Sequence, residues 1–100
     1  MRPILWTLGE KMDRLESLRS QIEKVNSDIL DLLNQRTALS LQIADIKKQQ
    51  GIEFFDATRE QHMLDHLKEY NDGPLSDQML ERIFQEIFYV SRTCMEKKFK

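Results

Sequence analysis

From Leu15 the apolar positions step along the chain by three and four, through Leu18, Ile22, Val25, Ile29 and Leu32, then Leu39, Ile43 and Ile46. That spacing is a helical stripe close to the heptad repeat, and Leu30, Leu33 and Leu41 widen it. It predicts a first helix over about 7–50, starting at Thr7 or Met12 and running to Gln50. At 1.5 Å per residue such a helix is about 65 Å long, whereas a compact chain of this size has a radius of gyration of about 13 Å. The stripe must be covered along its length by other helices, and a second copy of the chain is the simplest source.

Gly51 can end this helix as a left-handed cap, followed by a short apolar connector over 52–55 and by Asp56 as an N-cap. A second helix is expected over about 57–70, with Met63, Leu64, Leu67 and Tyr70 on one side. Asn71-Asp72-Gly73-Pro74 is a dense turn signal. Ser76 or Asp77 then caps a third helix over about 76–97, whose stripe is Leu80, Ile83, Phe84, Ile87, Phe88, Ser91, Cys94 and Met95. The expected fold is all-α, one domain over 1–100 with three helices per chain, paired into an intertwined homodimeric bundle.

Composition narrows the function. With 100 residues, 40% apolar and 32% charged, the chain is too short for a large cofactor domain and too apolar for disorder. Its apolar residues are too scattered for a membrane span, and the run Ile4-Leu5-Trp6 is too short for a signal-peptide core, so the expected location is cytoplasmic. A net charge of −2 speaks against nucleic acid, whose binding rests on neutralised phosphates. The single Cys94 has no internal disulfide partner, and His62 and His66 read as surface residues, since an i, i+4 pair needs a third ligand to hold zinc. No metal site is expected.

The informative residues are polar ones on the apolar stripe. Arg36 sits between Leu32 and Leu39 in the seam, where an unpaired guanidinium would cost several kcal/mol, so something anionic should meet it. Lys47 lies about 20° around the helix and about 16 Å further along, with Ser40 and Ile43 between them. Both side chains can lean toward one small anion; the alternative is that Arg36 pairs with a carboxylate of its own fold while Lys47 snorkels to water. Arg19 lies about 25 Å before Arg36, too far to share a small ligand within one chain, but an antiparallel partner can bring it to the site. Otherwise Arg19 is a solvated edge residue.

Asp56 and Glu60 both suit the positive end of the second helix, whereas Arg59 opposes it and needs a compensating anion. Ser91 on the third helix either bonds the carbonyl one turn back or contacts a ligand. No Ser-His-Asp set, activated cysteine or glycine-rich phosphate loop is present in the sequence. A pocket of fixed positive charge for a small polycarboxylate remains, able to bind it or to speed a reaction by orientation and electrostatics.

Over residues 18–94 the sequence resembles the all-helical chorismate mutases, especially the mutase domain fused to some bacterial 3-deoxy-arabino-heptulosonate 7-phosphate synthases. The resemblance is carried by Leu18-Arg19, Ile29-Leu30-Asp31-Leu32-Leu33-Asn34-Gln35-Arg36, Ile43-Ala44-Asp45-Ile46-Lys47, Phe55-Asp56-Ala57-Thr58-Arg59-Glu60, the 71–74 turn and Ile83-Phe84-Gln85-Glu86-Ile87-Phe88. It implies conversion of chorismate to prephenate on the way to phenylalanine and tyrosine, by homodimers that use no cofactor. It also implies fusion to, or a complex with, an aromatic-pathway synthase.

By that resemblance Arg36 and Arg59, with Arg19 from the partner chain, hold the two substrate carboxylates, and Lys47 donates to the ether oxygen. Asp56 and Glu60 bond the ring-hydroxyl region, and Ser91 contacts a carboxylate. One position departs: Met95 stands where the family usually has glutamine or glutamate, which removes a donor to the ether oxygen. Neither Arg92 nor Glu96 is expected to replace it while Ser91 keeps its register. Two other readings stay open: a weakly active or inactive regulatory domain that senses chorismate or prephenate, favoured by Met95, and an isochorismate-pyruvate lyase, which shares the fold and the cationic pocket.

Overall fold

The computed structural model describes residues 5–99; Ile4, the first residue of the apolar run near the amino terminus, lies outside them. Three helices follow one another: α1 (Leu8–Gln50), α2 (Ala57–Tyr70) and α3 (Asp77–Phe99). Each begins where a side chain satisfies the free N–H groups of a first turn. Thr7 Oγ1 accepts from the Glu10 N–H at 3.0 Å, Asp56 Oδ1 from Arg59 at 2.9 Å, and Ser76 Oγ from Met79 at 3.2 Å.

α1 ends in a Schellman motif, with the Ile52 N–H on the Lys47 carbonyl at 2.8 Å and the Gly51 N–H on that of Lys48 at 3.3 Å. The motif needs a left-handed residue, and Gly51 supplies it at φ 69°. After α2, Asn71 organises the turn: its Oδ1 accepts from the Gly73 N–H at 3.1 Å and its Nδ2 donates to the Leu75 carbonyl at 2.8 Å. α3 runs to Phe99, two residues beyond the predicted end. Phe99 is held there by an edge-on contact with Phe54, centroids 6.2 Å apart, and by Lys48 Nζ donating to its carbonyl.

The predicted domain over 1–100 divides by its contacts into a first unit ending at Gln35 and a second beginning at Arg36. In the first unit the described chain is almost entirely α1, and none of its described side chains is buried. Leu18, Ile22, Val25, Ile29 and Leu32 of the stripe are 43–60% exposed. The second unit has a core of Ala44 from α1, Leu64 from α2, and Leu80, Phe88 and Met95 from α3, with Ser40 and Ser91 buried among the polar residues. α2 packs on α3, and a half-buried ion pair between Lys68 and Glu81 at 3.6 Å joins them. Among the described residues no helix is long and apolar enough to cross a membrane.

Candidate active site

Within the second unit, the last turns of α1, the connector, α2 and α3 enclose a cavity of about 140 Å³. Arg36 and Lys47 reach it from α1, Arg59 and Glu60 from α2, and Ser91, Arg92 and Met95 from α3, with Asp56 at its edge. Capping decides part of this arrangement. Because Asp56 is the N-cap of α2, Arg59 and Glu60 fall in the first turn and open onto the cavity.

Arg36 is partly buried and meets a hydroxyl rather than a carboxylate: its Nη1 donates to Ser91 Oγ at 2.5 Å. Its guanidinium also lies over the Phe88 ring, 5.3 Å from the centroid. Burial lowers the Arg36 pKa from the ordinary arginine value, and the nearby Glu60 carboxylate opposes that shift. The group stays charged at neutral pH, since a guanidinium begins so far above it. With five N–H donors and one committed to Ser91, Arg36 keeps capacity for a planar carboxylate.

Lys47 Nζ donates to the Phe54 carbonyl at 3.3 Å, so the connector steadies it beside the cavity instead of letting it run out to water. Ser40 and Ile43 line the same cavity. Arg59 is exposed, and among the described residues its side chain has no ion-pair partner; the anion that a cation at this helix end calls for is not supplied by the described chain. Asp56 both caps α2 and lines the cavity. Ser91 bonds Arg36 rather than the carbonyl one turn back. Met95 is 8% exposed and brings a thioether where a donor is expected.

Arg92 was missed by the helical pattern. It lines the cavity beside a Ser91 that stays buried. Its Nη1 donates to Glu60 Oε2 and its guanidinium lies over the Phe55 ring, 4.7 Å from the centroid. Only its adjacency to Ser91 hinted at this, because a long side chain from the flank of a helix can reach a site its Cβ does not face. Arg19 belongs to the first unit, where it pairs with Glu16 at 3.3 Å across an exposed helix turn.

A wider hollow of about 310 Å³ adjoins the end of α3, but its one cation among the described residues, Lys48, already donates to the Phe99 carbonyl, and Glu53 and Glu96 line it. It does not suit a dianion. His62 and His66 are exposed, and the described residues contain no group of three or more side chains placed to hold a metal ion.

Residues 18–96 match the protein family described as Chorismate mutase type II. A bifunctional chorismate mutase/prephenate dehydratase from Stutzerimonas stutzeri is 34% identical over 80 residues, covering 75% of this chain and 22% of that protein, so the chain spans a minor part of its length. Among solved structures, chorismate mutase (Form II) from Thermus thermophilus superposes with a TM-score of 0.84 at 33% identity, covering 87% of this chain and 99% of that one. Chorismate mutase from Helicobacter pylori in complex with prephenate superposes with a TM-score of 0.80 at 32% identity, covering 85% and 92%. The bifunctional relative is joined to a dehydratase, not to the synthase that the motif likeness names. Motifs confined to the mutase helices do not encode which enzyme is fused to them.

Proposed function

Because the chain belongs to the type II chorismate mutases, we propose that its cavity folds chorismate into a compact chair-like form and rearranges it to prephenate. The observation that carries this reading is the convergence of Arg36, Lys47 and Arg59 on one cavity beside Ser91. The reaction is a unimolecular [3,3] shift: one carbon–oxygen bond breaks as one carbon–carbon bond forms, with no co-reactant. Arg36 and Arg59 hold the two carboxylates, which removes the entropy cost of folding the substrate. Lys47 donates to the ether oxygen as it gains negative charge, a contact that strengthens in the transition state. Asp56 and Glu60 take the ring hydroxyl. The test is to follow chorismate and, separately, isochorismate with the purified chain and identify the products: prephenate from chorismate supports the mutase, pyruvate release from isochorismate indicates the lyase, and no reaction of chorismate removes the proposal.

The Met95 thioether favours a second reading, in which the domain binds chorismate or prephenate as a regulatory signal. Met95→Gln changes little in volume and adds a donor. It is expected to raise kcat by up to about 10²–10³-fold, the scale of one preorganised oxyanion donor. An unchanged kcat would place the position away from the reacting oxygen. Tight binding of a bicyclic transition-state analogue without turnover by either protein would favour the sensor.

The functional unit is a homodimer in this reading. The exposed stripe on α1 is the surface a second copy would cover, and Arg19 would then enter the partner's site. Sizing should return twice the chain mass. Arg19→Ala and Arg36→Ala chains, each inactive alone, should regain about a quarter of wild-type activity when refolded together, because half the mixed sites are intact in random pairs. A well-folded monomer, or no regain, would rule out the trans role. Fusion to, or a complex with, another aromatic-pathway enzyme is part of the same reading, and the Stutzerimonas stutzeri relative carries a prephenate dehydratase.

A further inference from the structure

The mutase reading leaves Arg92 without a role, although the cavity is built partly from it. Its guanidinium is fixed at two points, by the ion pair to Glu60 and by the face of Phe55 at 4.7 Å. The Arg92 and Glu60 side chains are 26% and 22% exposed, so the pair is shielded enough to hold one geometry. Glu60 has a second cation within electrostatic reach, Arg36, whose pKa it raises against the effect of burial. Glu60 on α2 thus stands between a guanidinium from α1 and one from α3.

We propose that Arg92 is a positioning residue that holds the Glu60 carboxylate away from Arg36, leaving the Arg36 guanidinium open to a substrate carboxylate. This rests on the mutase reading for the identity of the substrate. Arg36 spends one donor on Ser91 and has the others free for a planar anion. A carboxylate carried by the protein competes for those donors at very high local concentration, since it needs no diffusion to reach them. Arg92 removes the competitor by pairing with it first, and Phe55 keeps Arg92 from following Glu60 toward Arg36. The cavity thereby retains a carboxylate for the substrate hydroxyl without losing its main anion site.

The test is a double-mutant cycle in the full chain with Arg92→Ala and Glu60→Gln, using chorismate as substrate. Arg92→Ala is expected to raise KM about tenfold and to lower kcat far less, because substrate binding meets the competition. Arg92→Lys keeps the charge and should recover most of the loss. In the Glu60→Gln background, adding Arg92→Ala should change KM less than about twofold, since the competing charge is gone. An equal rise in KM in both backgrounds, or no rise in either, would overturn the role. A readout without turnover is the ¹⁵N–¹H signal of the Arg36 Nε, identified by its loss in Arg36→Lys. It should move in Arg92→Ala and return in the double variant; a signal that stays put in Arg92→Ala would overturn the role. If the wild type leaves chorismate unchanged, the mutase reading fails and the Arg36 signal still decides what Arg92 does.

Discussion

Arg36→Ala is expected to lower kcat/KM for chorismate by about 10³-fold or more, exceeding the usual loss for one oxyanion donor because two N–H groups and a full charge disappear together. The guanidinium enters from α1, is half-buried, and is braced by the Ser91 hydroxyl and Phe88. Arg36→Lys should recover only part of the loss, since an ammonium cannot make the planar two-point contact. Retention of activity within tenfold by Arg36→Ala would show that the carboxylate is held elsewhere. Thermal unfolding of both variants separates this from a fold defect. The alanine protein should unfold within a few degrees of the wild type, because the removed charge was bonded to a neutral hydroxyl and left no buried carboxylate behind.

Lys47→Ala is expected to lower kcat by about 10²–10³-fold with little change in KM, because its contact with the ether oxygen becomes strong only as charge develops there. The position is preorganised: the Phe54 carbonyl takes one ammonium N–H at 3.3 Å and two remain. Met95 sharpens the expectation. A thioether on that wall offers no substitute donor, so loss of Lys47 should be more damaging here than in a Met95→Gln background. Equal changes in KM and kcat/KM with kcat unchanged would mean that Lys47 only binds substrate.

These two residues show how far sequence reasoning reaches. A cation in an apolar seam is a local conflict, and such conflicts mark sites because burial penalises them unless a partner is supplied. Arg36 and Lys47 were therefore legible from helical spacing. Arg59 was legible as a positive charge at the wrong end of a dipole, and the described residues supply no ion-pair partner for it. Arg92 carried no such mark, since an arginine beside the buried stripe is what an ordinary solvated flank looks like.

By itself the sequence determined the three helices and their breaks: the Asp56 cap, a left-handed Gly51 and the Asn71 turn act over three to five residues, within the reach of a pattern, whereas the choice of Thr7 over Met12 and of Ser76 over Asp77 came from the structure. It also marked which face of α1 needs cover, though not what covers it. Only the tertiary structure decided that Arg36 meets Ser91, that Lys47 rests on the Phe54 carbonyl, and that Arg92 reaches in to pair with Glu60. The physical reason is reach: helical periodicity sets the direction of each Cβ, but the charged tip of an arginine or lysine lies several bonds away. Where that tip settles depends on which donors and acceptors the other helices bring within range.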